Sequence, residues 1–307
     1  MQDGSKKAII AAFFANLGIA AAKFVGFLIT RSAGMLAEAG HSLADTGNQG
    51  LLLFGSKRGN RKADRVHPFG YGPERYFWAF VVALVLFSLG GLFAIYEGIH
   101  KLKDPHQIDN AFVAFGILGL AIALEGFSLT TAVKEANHTK PKQTSWITYL
   151  RTSKAPELPV VLLEDVAAET GLVIAFAGLG LSEITGNPRW DAAGSIAIGL
   201  LLVLVACFLA VEMKGLLIGE APNEGVQAGI EHAINGADRV NGIIHLRAMH
   251  LGPEELLVAT KIDFDQALTV AELAQAIDDV EAGMRASAPG LAMTIYIEPD
   301  IRRATPA

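Results

Sequence analysis

Up to Gly219, long apolar runs alternate with short polar clusters along the chain. A helix that crosses a membrane needs about 20 consecutive, mainly apolar residues, and six runs reach that length. The runs are Ala8–Thr30, Ala33–Gly55, Phe77–Ile99, Ala111–Val133, Pro159–Ser182 and Ala192–Met213. The pattern therefore predicts an α-helical membrane protein with six transmembrane helices.

Basic residues are distributed unevenly between the two sets of connecting segments. One set holds Lys6, Lys7, Lys57, Arg58, Arg61, Lys62, Arg65, Lys134, Lys140, Lys142, Arg151 and Lys154. The opposite set holds Arg31, Lys101, Lys103 and Arg189. Because cytoplasmic loops carry an excess of Lys and Arg, we expect a multi-pass protein of the cell's inner (plasma) membrane with both termini in the cytoplasm.

After Gly219 the sequence has the pattern of a soluble domain with the element order αββαβ. A helix, two strands, a helix that begins with a capping-box signature at Thr269 and Glu272, and a final strand are predicted. They cover Asn223–Gly236, Ile243–Leu251, Leu256–Phe264, Thr269–Arg285 and Leu291–Ile297. We therefore expect a six-helix transmembrane domain over residues 1–218 and a small α+β (αββαβ, ferredoxin-like) cytoplasmic domain over 219–307, which self-association would help to stabilise.

Composition agrees with this division and excludes several classes of protein. Hydrophobic residues make up 51% of the chain and charged residues 18%, and the mean hydropathy is +0.38. The net charge of −6 averages two unlike regions and gives no reason to expect a nucleic-acid partner. Cys207 is the only cysteine, so a disulfide or a thiolate metal cluster within one chain is excluded. The tail has no phosphate loop and no nucleophile with a base, which predicts a protein that is not an enzyme.

The candidate chemistry lies where ionisable residues enter the apolar runs, because such residues usually line a polar pathway or pair with a partner. His41 and Asp45 in the second run are four residues apart, and Asp165 and Glu169 repeat that spacing in the fifth. Residues at this spacing are neighbours on one helical face, and one nitrogen with three oxygens suits a tetrahedral cation such as Zn²⁺. A structural hydrogen bond or a proton relay is the alternative, and Glu164 is the alternative to Glu169.

Three longer motifs resemble the cation diffusion facilitators. They are HSLADTGNQ in the second run, HPFGYGPERYFWAF before the third and PELPVVLLEDVAAETG leading into the fifth. LSEITGNPRWDAAGS, before the sixth run, resembles the branch that contains the ninth human zinc transporter. The resemblance covers nearly the whole chain. It implies a homodimeric exporter of Zn²⁺, or of Mn²⁺, Fe²⁺ or Co²⁺, that is driven by proton exchange.

The family's site residues match this chain only in part. His41, Asp45 and Asp165 match metal positions, but Val161 stands where the family usually has a histidine. A set with more oxygen and less nitrogen favours harder ions such as Mn²⁺. Glu38 and Glu125 also lie in apolar runs, where packing or helix-end roles are expected.

Two further family metal sites also depart from their usual residues. In the loop after the second run, Asp64 and His67 match, but Tyr71 replaces a histidine, so a structural turn is expected there. In the tail, Thr260 and Tyr296 fall where relatives have metal-binding residues. The tail residues that remain as candidates are His245, His250, Glu298 and Asp300. We therefore expect a dimerisation module without a tight metal site.

The motifs and the candidate ligands together predict a Zn²⁺ efflux transporter that works by proton-coupled antiport and alternating access. Neutral imidazole and ionised carboxylates bind metal and release it on protonation, and histidine changes charge near neutral pH. Two alternatives remain open. One is a channel or organic-cation transporter in which the acidic residues neutralise substrate charge, and the other is a non-transporting metal receptor.

Overall fold

The computed structural model describes residues 33–105, 111–141 and 143–302, together with positions 10, 13–14, 16–18, 20–22, 24–25 and 28. The side chains of residues 33–42 and 139 lie outside this description. The predicted first span falls largely outside the described residues, and its described positions are helical. Within the described part, the chain forms two compact units: Met1–Arg58 with Glu74–Lys214, and Gly59–Pro73 with Gly215–Ala307.

The first unit is entirely helical in its described part. Its helices are α1 (Ala33–Gly59), α2 (Glu74–Val85), a π-helix (Leu86–Leu92), α3 (Phe93–Lys103), α4 (Ala111–Thr139), α5 (Trp146–Thr152), α6 (Glu157–Thr185) and α7 (Arg189–Ile218). Each long helix contains one of the predicted apolar runs and extends beyond it. Each helix continues into the polar residues that flank its apolar run, because the hydrogen bonds of the helical backbone do not depend on side-chain polarity.

Three helical segments of the described part are long and apolar enough to cross a membrane: Glu74–Lys103, Ala111–His138 and Arg189–Ile218. A segment of 30 residues such as Glu74–Lys103 is about 45 Å long, more than the apolar core of a bilayer requires. Outward apolar side chains on the other two agree with a lipid-facing surface, since Phe112 is 93% exposed and Leu204 69% exposed. Helices α1 and α6, which contain the predicted metal ligands, are not among these three segments, and the count of six spans stays a prediction.

Two features of the first unit were not predicted. The π-helix interrupts the third apolar run where Gly91 packs against α7, and a Cβ at Gly91 would lie 2.7 Å from Val203 Cγ2. The segment after α4, which separates the fourth and fifth predicted apolar runs, contains α5, whose N-cap Ser145 accepts a hydrogen bond from the Thr148 amide at 3.1 Å. Tyr149 of α5 packs with the ends of α4 and α6.

The second unit has the predicted order αββαβ. Its elements are α8 (Glu224–Asn235), β1 (Val240–Gly252), β2 (Glu255–Phe264), α9 (Val270–Ser287) and β3 (Ala292–Asp300). β2 lies in the centre of the sheet, antiparallel to β1 and parallel to β3. Leu256, Val258, Thr260 and Ile262 alternate into the core as predicted, and Thr269 and Glu272 form the predicted capping box.

The loop Gly59–Pro73, between α1 and α2, belongs to this second unit. Gly72 contacts the end of β1, where a Cβ on Gly72 would clash with the Leu251 carbonyl oxygen and lie 2.9 Å from Gly252 Cα. A side chain has no room at this close approach, so glycine is required at position 72. The sequence did not predict this association.

Candidate metal site

Helix α1 places a short series of polar side chains in the interior of the first unit. Asp45 is 8% exposed, Asn48 4% and Gln49 1%. Positions three and four residues apart share one face of a helix, so these side chains point to the same side. His41 lies one turn before Asp45 in the same helix, and its side chain is outside the described residues.

Helix α6 meets this face with two adjacent acidic residues. Glu164 and Asp165 are each 5% exposed. The Asn48 side-chain amide donates a hydrogen bond from Nδ2 to Glu164 Oε1 at 2.6 Å, which joins α1 to α6. The carboxyl groups of Asp45 and Asp165 both interact electrostatically with Glu164. Two of the predicted ligands, Asp45 and Asp165, are therefore brought to one region.

Helix α4, which packs along α6, completes the surroundings of Asp165. Ser128 donates a hydrogen bond from Oγ to Asp165 Oδ2 at 3.1 Å. Glu125, three residues earlier, is 5% exposed and interacts electrostatically with Asp165. We call Asp45, Glu125, Glu164 and Asp165 the acidic cluster. The sequence did not predict a role for Glu125 or Asn48 at this site. The signal that could have indicated them is a polar residue within an apolar run, at helical spacing from another polar residue.

Glu169, the predicted fourth ligand, lies one turn beyond Asp165 and is half-buried. Its carboxylate packs against α4, with Oε1 3.8 Å from the position that a Cβ on Gly126 would occupy. Within the described residues, Oε2 of Glu169 and Oε2 of Glu164 are both buried without a hydrogen-bond partner. Glu164 is the one that interacts with Asp45.

The described residues do not form a complete coordination sphere. No three of the described His, Cys, Asp and Glu side chains converge closely enough to hold one metal ion. Buried carboxyl groups that interact electrostatically in pairs are nevertheless an unfavourable arrangement without protons or a cation. The acidic cluster is therefore suited to binding positive charge, and the His41 side chain is the remaining predicted ligand.

The loop after α1 uses its acidic residue to hold a turn. Asp64 Oδ1 accepts hydrogen bonds from the amides of Val66 at 2.9 Å and His67 at 2.8 Å, and Oδ2 accepts one from the Tyr71 hydroxyl at 2.7 Å. The Tyr71 hydroxyl, and next the His67 amide, lower the pKa of Asp64 from its ordinary value because they stabilise the ionised carboxylate. Tyr71, at the position where a family histidine was expected, thus bonds to Asp64 and helps to hold the turn.

The candidate tail ligands are also engaged in contacts within the second unit. His250 is 5% exposed, and its Nδ1 lies 3.1 Å from the Gly252 carbonyl oxygen in the turn between β1 and β2. Lys261 lies 2.9 Å from Glu298 and 3.1 Å from Asp300, and their carboxylates raise its pKa. His245 is exposed, and its carbonyl accepts a hydrogen bond from the Thr260 hydroxyl at 3.0 Å.

Comparison with known proteins agrees with the motifs. A family model described as the cation efflux transmembrane domain matches residues 9–218. The human proton-coupled zinc antiporter SLC30A9, mitochondrial, is 34% identical over 244 residues, which are 79% of this chain and 43% of that protein. Metal tolerance protein C4 of Arabidopsis thaliana is 31% identical over 267 residues, which are 87% of this chain and 58% of that protein.

The chain thus spans less than two thirds of the length of either relative. A solved structure of the MamM CTD aligns with 26% of this chain and 95% of that domain at 27% sequence identity, with a TM-score of 0.24. The family model alone covers more than half of the 307 residues. This chain therefore belongs to the cation efflux (cation diffusion facilitator) family of membrane transporters, in the branch that includes SLC30A9.

Proposed function

We propose that this chain exports Zn²⁺ from the cytoplasm in exchange for protons by alternating access. The observation that carries the proposal is the buried acidic cluster shared by α1, α4 and α6. Buried carboxylates need protons or a cation, and an antiporter alternates between the two. SLC30A9 is named a proton-coupled zinc antiporter, which supports Zn²⁺ as the substrate and protons as the coupling ion.

We propose His41, Asp45, Asp165 and Glu164 as the ligands of the transported ion. Binding must draw the three carboxylates closer together, because no three of the described side chains converge closely enough to hold an ion in this structure. One imidazole nitrogen and three carboxylate oxygens form a set that Zn²⁺ accepts in tetrahedral geometry. Glu164 is preferred to Glu169 because Glu164 interacts with Asp45 and bonds to α1, whereas Glu169 packs against Gly126. Comparing Glu164→Gln with Glu169→Gln tests the choice, because only the variant of a true ligand loses metal affinity.

The ligand set gives metal binding a defined dependence on pH. A metal ligand must be deprotonated, so protons and metal compete for the same lone pairs. We expect Zn²⁺ affinity to fall steeply between about pH 7.5 and about pH 5.5, where histidine gains its proton. Calorimetric titration of the detergent-solubilised protein measures this, and a flat profile would argue against proton exchange at this site.

Metal uptake by inverted membrane vesicles tests the proposed function. Zn²⁺, Mn²⁺, Fe²⁺, Co²⁺ and Cd²⁺ are compared with and without a pH gradient. We expect Zn²⁺ uptake that increases when the interior is acidic and that is lost in Asp45→Ala and Asp165→Ala. Glu183→Gln, at an exposed position of α6, is the matched control and retains uptake. Zn²⁺ uptake that is equal with and without the pH gradient would instead indicate a channel.

We further propose that the transporter is a homodimer in the cell's inner membrane with both termini in the cytoplasm. The distribution of Lys and Arg between the loops supports this orientation, and the small size of the second unit favours self-association. The mass of the protein in nanodiscs, measured by light scattering, tests the dimer. A protease that removes the C-terminal unit from inverted vesicles, but not from sealed right-side-out vesicles, tests the orientation.

The second unit is proposed to associate without a tightly bound metal ion. The His250 ring contacts its own turn, and Glu298 and Asp300 are paired with Lys261, so binding a metal would require these contacts to break. The melting temperature of the Gly219–Ala307 fragment should not change with Zn²⁺ or chelator. A rise of several degrees with stoichiometric Zn²⁺ that disappears in His250→Ala would refute this.

A further inference from the structure

Asn48 is a buried amide that lies among carboxyl groups. It follows Asp45 by three residues in α1 and is 4% exposed. Its Nδ2 donates to Glu164 Oε1 at 2.6 Å, and this bond crosses from α1 to α6. An asparagine at this depth is costly unless it is hydrogen bonded, and the bond to Glu164 gives its side-chain amide a partner.

The hydrogen bond makes the two oxygens of Glu164 unequal. Oε1 accepts a hydrogen bond from Asn48, while Oε2 is buried with no hydrogen-bond donor within reach among the described residues, and the carboxyl group also interacts with that of Asp45. A neutral donor that occupies one oxygen fixes the rotation of the carboxylate and leaves the other oxygen to face a ligand. Donors that orient a metal-binding group in this way usually contribute strongly to metal affinity.

Asp165, the next residue of α6, also accepts a hydrogen bond from an uncharged side chain. Ser128 donates to Asp165 Oδ2 at 3.1 Å. Each of the two adjacent carboxylates therefore has one oxygen held by an uncharged donor from a different helix. Carboxylates limited to one oxygen suit an ion with four ligands, whereas larger ions with six or more oxygen ligands gain from binding both oxygens.

We infer that Asn48 is a positioning residue that fixes Glu164 as a one-oxygen ligand and thereby favours a four-coordinate ion over larger divalent ions. This inference rests on the proposed function, because it requires that Glu164 binds the transported metal. It adds the residue that determines how Glu164 binds and which ion it prefers. Loss of the amide frees the carboxylate to rotate and to use both oxygens.

The test measures the affinities of the full-length protein in nanodiscs for Zn²⁺ and Mn²⁺. Asn48→Ala should weaken Zn²⁺ binding by about 10- to 100-fold and Mn²⁺ binding much less, so the preference for Zn²⁺ falls. Asn48→Leu keeps most of the side-chain volume without the donor and should behave in the same way. If either variant loses Zn²⁺ and Mn²⁺ affinity equally, the residue has no role in selectivity and the inference is overturned.

A double-mutant cycle identifies the route of the effect. If Asn48 acts through Glu164, adding Asn48→Ala to Glu164→Ala should change Zn²⁺ affinity by less than about threefold. Ser128→Ala is the matched control, because it removes the equivalent bond to Asp165 and should retain its effect when Glu164 is alanine. An undiminished effect of Asn48→Ala in the Glu164→Ala background would overturn the inference.

The same measurements distinguish failure of the inference from failure of the proposed function. Zn²⁺ binding that survives in Asp45→Ala shows that the ion binds elsewhere, and both proposals then fail. If Zn²⁺ binding requires Asp45 but the effects of Asn48 and Glu164 are independent of each other, the transport proposal stands. Only the role of Asn48 is then overturned.

Discussion

The buried ion pair between Arg75 and Glu157 gives a strong prediction about stability. Arg75 is near the start of α2, and Glu157 is the first residue of α6. The Arg75 guanidinium donates from Nε to Glu157 Oε1 at 2.5 Å and from Nη2 to Oε2 at 3.0 Å. The two side chains are only 2% and 1% exposed. The pair is therefore shielded from water, and its two hydrogen bonds replace interactions that water would otherwise provide.

Glu157→Gln should destabilise the protein by about 3–5 kcal/mol, because it removes the negative charge of a buried pair that is joined by two hydrogen bonds. Replacing both residues with methionine should cost far less, since neither charge then remains to be desolvated. Asp191→Asn is the control, because the Lys101–Asp191 pair is 41% and 20% exposed at a distance of 3.0 Å. Its loss should cost less than about 1 kcal/mol.

Reversible unfolding of the detergent-solubilised protein by increasing SDS measures these differences. The expected order of stability is parent, Asp191→Asn and the double methionine variant close together, followed by Glu157→Gln well below them. A Glu157→Gln variant that is as stable as Asp191→Asn would show that the pair is hydrated or dispensable, and the reasoning from burial would be refuted.

Three further predictions concern the second unit. Thr269→Ala should lower the free energy of unfolding of this unit by about 1 kcal/mol through loss of the N-cap, as measured by chemical denaturation. The cap also lowers the pKa of Glu272 in the folded state. The stabilisation by the cap is therefore present above the ordinary pKa of glutamate and is lost as the pH falls through the lower pKa of the folded state. Gly72→Ala should cost about 1–3 kcal/mol because its Cβ meets backbone atoms of the last two residues of β1. Hydrogen exchange of the Gly252 amide should accelerate, and unchanged exchange would contradict the close approach. Tyr71→Phe should raise the pKa of Asp64 toward its ordinary value, because the hydroxyl is the largest cause of its lowering; an unshifted Asp64 carboxyl titration by NMR would contradict this.

Helix positions were predictable because the apolar runs are long and the polar breaks between them are short. The tail was predictable for a similar reason, since Leu256, Val258, Thr260 and Ile262 alternate and Thr269 with Glu272 marks a helix start. These signals are local. The π-helix, by contrast, depends on packing of Gly91 against α7, and the association of Gly59–Pro73 with the second unit depends on contacts far apart in sequence.

The candidate site was predictable where charge alone gave the signal. Asp45 and Asp165 stand out because they interrupt apolar runs, and the structure brings their helices together. The roles of Asn48, Ser128 and Glu125 depend on which side chain of another helix each one faces. The spacing of residues along one helix does not show which residues of another helix they face. The sequence pattern therefore cannot show which of Glu164 and Glu169 faces Asp45.

Zinc-driven proton movement in sealed proteoliposomes tests most directly the claim that the acidic cluster exchanges Zn²⁺ for protons. Purified protein is reconstituted with a pH-sensitive dye inside, and Zn²⁺ is added outside. Parent protein should move protons outward as Zn²⁺ enters, Glu183→Gln should do the same, and Asp45→Ala should do neither. Zn²⁺ entry without proton movement, or coupled movement that persists in Asp45→Ala, would contradict the claim.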